Sequence, residues 1–384
     1  MTYRLTCVIN SLSVGGAQMM MHKLLSRIDR SIFSPEVVSL TSRGDLGDKI
    51  ADLDIPLRVL GMRRGIPDPR YLLQLAGHFR HSRPDLVQTW MYHADLLGGL
   101  AARLASRPPV IWNIRHSNLD PAIDRPTTIY AAKICAMTSG SLPVRIVCCA
   151  QKARQMHEDL GYRADKMRVI PNGFDLEKFK PSAESRIAVC RELGIPEHAL
   201  VIGFVSRFHP MKDHQGFIRA AALLGQRGHE VHYILCGDGV AWSNEELANA
   251  IKAFGMKGIF HLLGRRVDVP RLTAAFDIAV SPSACGEAFS NTIGEAMACA
   301  VPCAVTDVGD SAAIVGDTGK VVPPKDPEAI AYAWQELIAM GAERRLELGL
   351  RARQRVLECF ALDSVVRQYE ELYLSILQPS VNGN

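Results

Sequence analysis

Short apolar runs alternate with helical patterns through the chain in two successive cycles, and that alternation confines it to parallel-sheet α/β folds. The first cycle opens with Leu5-Thr-Cys-Val-Ile, a Gly15-Gly16 turn and an apolar-periodic helix over about 17–28. Val37-Val-Ser-Leu, Leu57-Arg-Val-Leu, Leu86-Val-Gln-Thr, Val110-Ile-Trp-Asn-Ile and Ile146-Val-Cys-Cys read as further strands, with helical stretches such as 71–80 and 94–105 between them. Strands covered on both faces need such continuous apolar runs. The second cycle starts at Val201-Ile-Gly-Phe-Val. Between the cycles, Pro171-Asn-Gly-Phe-Asp175 and Pro181-Ser-Ala form a turn-rich connection that reads as a hinge. At 384 residues the chain can build two domains with separate cores, expected at 1–180 and 181–362.

No apolar run reaches the length of a membrane span, and the first ten residues lack the apolar core of a signal peptide, so a cytoplasmic location is expected. The ten cysteines are scattered without a C-x-x-C pair and several lie inside strand-like runs. They read as reduced core residues rather than a metal site or a disulfide framework.

Two loops carry the chemistry. Between the apolar run Ile278-Ala-Val-Ser-Pro and a helical pattern from Ile293, the stretch Glu287-Ala-Phe-Ser-Asn-Thr-Ile-Gly-Glu295 places two carboxylates around a helix start that Ser290 or Asn291 can cap. Free N–H groups and the helix dipole suit a phosphate there. A carboxylate beside a phosphate would be repelled, so Glu287 and Glu295 are better matched to hydroxyls, as on a sugar nucleotide. Upstream, the strand at Val201 ends in Arg207-Phe-His-Pro-Met-Lys212, where open α/β sheets bind ligands. A guanidinium fork and an ammonium on one loop suit a diphosphate. In the first half, His116 follows the strand Val110–Ile114. His93 occupies another strand-to-helix junction, and Gly15-Gly16 permits close backbone approach.

These pieces fall into a known order. Ser206-Arg207…Lys212, Gly237-Asp-Gly239, Leu263-Gly264 with Asp268-Val-Pro, Glu287…Glu295-Ala-Met-Ala and Val301-Pro…Thr306-Asp-Val-Gly follow one another. Gly15-Gly16-Ala-Gln18, His116-Ser117 and Pro171-Asn-Gly-Phe-Asp175 stand in the first half. As a set they resemble the retaining glycosyltransferases of family 4, from the first strand to about residue 375. Gln18 stands where many members carry Glu, and Ala288 where Gly is usual. The resemblance implies the GT-B architecture, two doubly wound Rossmann-like domains facing a central cleft, with a last helix (about 363–378) crossing back onto the first domain. It implies a nucleoside-diphosphate sugar, UDP foremost, as a substrate rather than a cofactor. Catalytic roles fall to His116, Glu287, Arg207 and Lys212. Glu287 would hold donor hydroxyls and Glu295 the ribose; Gly16, Ala288, Phe289, Ser290, Asn291 and Thr292 complete the donor side, with Arg265 and Val267 near the base. Gly15, Gln18 and His93 lie on the acceptor side. Members with this layout commonly act on lipid-linked saccharides of cell-surface polysaccharides or glycolipids.

The mechanism this implies uses no metal, since no Asp-x-Asp reads as a metal-binding pair and no His/Asp/Glu cluster has ligand spacing. Arg207, Lys212 and the helix start at 291–293 would stabilise the leaving diphosphate. No carboxylate stands out as a nucleophile, so the two-carboxylate scheme of retaining hydrolases is replaced by a front-face attack. Residues 1–180 hold 25 Lys and Arg against 16 Asp and Glu, a net of +9, while the remainder is −5. The cluster Arg63, Arg64, Arg70, Arg80 and Arg83 suits peripheral contact with an anionic membrane. No aromatic residues interleave with it, which disfavours nucleic acid. A dehydrogenase lacks its Gly-x-Gly-x-x-Gly. A sugar-nucleotide 2-epimerase of the same architecture and a catalytically silent binding subunit are the rival readings.

Overall fold

A computed structural model describes residues 2–63, 68–121 and 124–378. Its contacts divide the chain into two compact units: the segment up to Gly173 together with that from Leu362 onward, and Phe174–Ala361. The division falls at Gly173 rather than at 180 because the second unit draws Phe174 in. Its ring packs on Phe289 and Phe360, and its N–H donates to the Phe360 carbonyl at 2.9 Å.

The first unit is built on β1 (Tyr3–Ile9), β2 (Phe33–Ser39), β3 (Leu57–Val59), β4 (Leu86–Trp90), β5 (Val110–Ile114), β6 (Arg145–Cys148) and β7 (Met167–Val169). All pairs are parallel, in the order β3-β2-β1-β4-β5-β6-β7, so the winding reverses between β1 and β4. Alternation along the strands feeds two cores. Cys7, Ile9, Val37 and Trp90 face one side, whereas Val8, Val38, Val87 and Trp112 face the other. Helix Leu362–Leu377 belongs to the first of these cores, because Leu362, Val365, Val366, Tyr369, Leu372 and Tyr373 make one apolar stripe at helical spacing. Its buried hydroxyls are satisfied, Tyr373 by Gln88 Oε1 and Tyr369 by Asn113 Nδ2 at 3.2 Å.

The second unit carries β8 (Leu200–Val205), β9 (Val231–Cys236), β10 (Phe260–Leu262), β11 (Ile278–Ser281), β12 (Cys303–Thr306) and β13 (Gly319–Val322). They are again parallel, in the order β10-β9-β8-β11-β12-β13, with the reversal between β8 and β11. Gly203 in β8 is a packing requirement, since a Cβ there would stand 2.1 Å from the Phe276 ring. Trp334 of helix Pro327–Ala339 covers Phe217 and Tyr233. No described cysteine is in a disulfide, and all but Cys285 and Cys359 are buried. Among the described residues no helix is long and apolar enough to cross a membrane.

Candidate functional site

At the reversal in the second unit, the loops leaving β8 and β11 diverge and open a crevice at the carboxyl ends of the strands. The first loop makes a 3-10 turn at Pro210–Lys212, closed by the Met211 N–H donating to His209 Nδ1 at 3.3 Å. Asp213 follows at φ +50 and caps helix His214–Gly225 through the Gly216 N–H at 2.9 Å. Lys212 is therefore fixed between two caps. The Ala284 N–H donates to the Met211 carbonyl at 2.8 Å, which ties the second loop to the first. Across this bridge Lys212 Nζ pairs with Glu287 Oε2, and Ser283 Oγ donates to the same oxygen at 3.3 Å. The two charged side chains are 22% and 16% exposed, so the pair is shielded yet reachable. Arg207 stands exposed on the same loop.

Two glycines set how closely the loops stack. A Cβ on Gly237 would lie 1.9 Å from the Ser206 carbonyl oxygen, and one on Gly309 (φ +57) 1.9 Å from that of Glu287. The close approaches are matched by hydrogen bonds, Phe208 N–H to Asp238 O at 2.7 Å and Asp310 N–H to Ala288 O at 3.0 Å.

Helix Asn291–Ala298 begins where expected, with Ser290 at its N-cap, but the cap differs from the sequence reading. The Ser290 hydroxyl lies 3.3 Å from Thr292 Oγ1 and makes no bond to a backbone N–H of the first turn. Phe289 does not face the crevice, since its ring is buried between Phe174 and Phe360, and Ala288 is buried too. These two can meet a ligand only through their backbone. Glu295 is half-buried one turn into the helix, where it and Thr292 line a small cavity with Gly203, Val205 and Val280. Arg265 and Val267 are exposed, Val267 to 97%. Their neighbour Arg266 is held by Asp268 at 2.8 Å and Glu192 at 2.9 Å.

In the first unit the remaining candidates stand after three strands. Beyond β1, Gly15 is the N-cap of helix Gly16–Arg27, and Gln18 Oε1 folds back over it; a Cβ on Gly15 would be 2.5 Å from that oxygen. After β4, Met91 takes φ +77 and starts helix Tyr92–Leu104, on which His93 is half-buried. The strained Met91 joint was not legible in the sequence, where nothing marks a non-glycine residue at positive φ. Beyond β5, Arg115 is anchored by Asn113 Oδ1 at 2.8 Å, Asn172 Oδ1 at 2.5 Å, the Tyr369 hydroxyl and the Trp90 ring face. His116 next to it is thereby placed, with Nε2 3.5 Å from Asp124 Oδ1 and Nδ1 buried with no hydrogen-bond partner among the described residues. Burial lowers the pKa of His116 and Asp124 opposes the shift; burial likewise lowers that of His93. The chain's one Asp-x-Asp, Asp52-Leu53-Asp54, lies at the end of helix Leu46–Ala51. Of the arginines expected from the sequence to meet a membrane, Arg70 pairs with Asp68 at 2.7 Å, Arg80 donates to the Leu104 carbonyl, and Arg64 lies outside the described residues.

Ser283 and Gly309 were not singled out as site residues by sequence reasoning. Gly309 lies in the Thr306-Asp-Val-Gly motif, whereas Ser283 carries no pattern of its own.

The family model for Glycosyltransferase Family 4 matches residues 14–178, and that for Glycosyl transferases group 1 matches 199–340. The chain belongs to glycosyltransferase family 4. This glycosyltransferase is 25% identical over 323 residues, 81% of each chain, to the UDP-Gal:alpha-D-GlcNAc-diphosphoundecaprenol alpha-1,3-galactosyltransferase of Escherichia coli. It is 30% identical over half of each chain to the N-acetyl-alpha-D-glucosaminyl L-malate synthase of Bacillus anthracis. Its fold matches Anabaena HepE in complex with UDP at a TM-score of 0.85 and 22% identity, covering 97% of this chain and all of that one. Sucrose-phosphate synthase of Thermosynechococcus elongatus matches at 0.81 and 18%, covering 98% and 100%. The architecture of the glycosyltransferase is thus GT-B.

Proposed function

We propose that this glycosyltransferase moves a sugar from a UDP-sugar to a lipid-linked saccharide, with retention at the anomeric carbon and without a metal ion. The observation that carries the reading is the Lys212–Glu287 pair in the crevice between β8 and β11, which sets a cation for a diphosphate beside an acceptor of sugar hydroxyl bonds. UDP is favoured because HepE was solved with UDP and with UDP-glucose. A lipid-linked acceptor is favoured by the Escherichia coli relative, whose name gives a diphosphoundecaprenol-linked sugar as its substrate.

In this reading Arg207 and Lys212 take the diphosphate, and the backbone N–H groups at 291–293 add the positive end of the helix dipole. As the bond to the leaving phosphate breaks, the negative charge develops among donors already in place. Glu287 orients donor hydroxyls, Glu295 the ribose, and neutral His116 can share a hydrogen bond with a hydroxyl of the transferred sugar. The leaving phosphate oxygen takes the acceptor proton on the same face.

A thermal-shift panel of UDP-, GDP- and ADP-sugars tests the donor, since a ligand of the folded state alone raises Tm. UDP-sugars should give the largest shift. Transfer to a polyprenyl-diphosphate-linked sugar, with the anomeric configuration of the product read by NMR and with EDTA present, tests the rest. An inverted product, loss of turnover in EDTA, or a donor epimerised with no acceptor would each overturn part of the reading.

A further inference from the structure

Lys212 holds the Glu287 carboxylate without fixing its angle. An ammonium is a point charge on a flexible stem with three like donors, so it tolerates many orientations of its partner. Hydrogen bonds to sugar hydroxyls are directional, and an acceptor that favours one arrangement of hydroxyls has to be fixed in angle as well as in charge. A second donor meets that need. Ser283 Oγ lies 3.3 Å from Glu287 Oε2, the same oxygen that Lys212 Nζ engages. Its hydroxyl sits on the shortest of stems, and Ser283 is 1% exposed, so water does not compete for it. Buried hydroxyls elsewhere in the chain serve their own turns, as Ser139 does at the Ala136 carbonyl and Thr318 at the Val315 carbonyl. Ser283 turns to a carboxylate of the crevice instead.

The backbone that carries Ser283 is pinned from a third strand. Thr306, the buried last residue of β12, places Oγ1 2.7 Å from the Ser283 carbonyl oxygen and 3.3 Å from that of Ser281. One hydroxyl therefore spans the Pro282 turn by which the chain leaves β11. On the next residue the Ala284 N–H is bound to the Met211 carbonyl, and beyond Glu287 the Ala288 carbonyl accepts from the Asp310 N–H. The loop is fastened before and after Glu287. What remains to be set is the side chain of Glu287 itself, and Ser283 is placed to set it.

We propose that Ser283 is a positioning residue for recognition of the donor sugar: it fixes the angle of the Glu287 carboxylate, and Thr306 fixes Ser283. The inference rests on the reading that Glu287 takes donor hydroxyls. Two parts of the site then divide the donor between them. Arg207 and Lys212 act on the diphosphate, which UDP and a UDP-sugar share. Ser283 acts through Glu287 on the sugar, which UDP lacks.

Calorimetric affinities of the full chain for UDP and for the UDP-sugar that raises its Tm most test the proposal. Ser283→Ala should weaken the UDP-sugar about tenfold, the loss of one hydrogen bond to a charged group, and leave UDP within about twofold of wild type. The retained UDP affinity shows that the variant folds. The same variant should bring its affinities for UDP-glucose and UDP-galactose, which differ in the direction of one hydroxyl, closer together than in wild type. Thr306→Val should weaken the UDP-sugar more than UDP as well. In a Glu287→Ala background Ser283→Ala should cost nothing further, because the hydroxyl acts only through that carboxylate. Equal losses for UDP and the UDP-sugar, or a loss that persists in the Glu287→Ala background, would make Ser283 a support of the loop and overturn the proposal. If Glu287→Ala weakened the UDP-sugar selectively and Ser283→Ala did not, this inference alone would fall. If Glu287→Ala weakened the UDP-sugar no more than UDP, the reading of Glu287 would fall and the inference with it.

Discussion

The Lys212–Glu287 pair shows how a residue's neighbours decide its use. Both side chains are shielded, so removing one leaves the other in a less polar surrounding than water, and the loss exceeds that of a surface ion pair. Lys212→Ala should slow transfer about a hundredfold, roughly 3 kcal/mol of stabilisation of the developing anion, and Arg207→Ala should act in the same direction. Glu287→Gln keeps the shape and removes the charge, so it should weaken donor binding less than Glu287→Ala, as titration calorimetry with the donor would read. If Lys212→Ala transferred as fast as wild type, the diphosphate role would be wrong. The four residues Arg207, Lys212, Glu287 and Glu295 were legible in the sequence because each stands at a fixed place after a strand or in a helix's opening turns. Ser283 was not, because a lone serine becomes a partner of Glu287 only once the loop closes. His116 carries its own expectation. Burial holds its pKa below the ordinary imidazole range, so it stays neutral on mild acidification. Transfer should therefore persist below pH 6.5 in wild type, and His116→Ala should lower turnover more than donor affinity. A profile that falls at the ordinary imidazole pKa would contradict that environment.

At the scale of elements, helix Asn291–Ala298 is positioned by aromatic packing rather than by its cap. Phe289, which precedes it, stacks on Phe174, and a Cβ on Gly294 within the helix would stand 2.1 Å from the Phe174 ring. Gly294→Ala should therefore overpack this contact and destabilise the second unit by about 1–3 kcal/mol. The same shift would displace the first turn that faces the crevice, so UDP affinity should drop with it. Urea unfolding and calorimetry would read both effects, and a variant as stable as wild type would mean that Phe174 is free to move. This dependence explains a limit of the sequence reading. Strands and helices were legible through their periodicity, and the four helices expected at about 17–28, 71–80, 94–105 and 363–378 end within two residues of those places. The role of Phe289 was not, since a phenylalanine in a loop can face a ligand or a core equally well by pattern alone. Its burial follows from Phe174 and Phe360, which lie 115 residues before it and 71 after it.

The two units titrate differently, and that difference belongs to the whole molecule. In the second unit, burial lowers His214 and His261 to about 4. The ordinary imidazole value is near 6.5, so the unfolded chain takes up protons that the folded unit refuses as pH falls from about 6.5 to about 4. The stability they contribute is full above 6.5 and is lost through that window. His209 and His232 are lowered in the same sense, mainly by burial. In the first unit His157 behaves likewise, lowered to about 4 by burial, and His93 and His116 tilt the same way. There, however, Asp95 is buried on helix Tyr92–Leu104 and raised to about 7, with the Thr89 hydroxyl donating to it at 2.5 Å. A carboxyl raised in the fold has the opposite sign: the folded unit keeps a proton that the unfolded chain releases, so its contribution grows as pH falls from about 7 toward 4. The second unit should therefore lose stability more steeply than the first between pH 6.5 and 4.5. Each uncompensated proton contributes about 1.4 kcal/mol per pH unit, an upper bound for the half-buried His261. Hydrogen exchange corrected for intrinsic rates would show it, with protection in β8, β9 and β11 falling faster than in β1, β4 and β5. His214→Asn should flatten the dependence of the second unit by up to one proton, and Asp95→Asn should steepen that of the first. Equal slopes in the two units, or a first unit that loses protection sooner, would refute the assignment of these shifts.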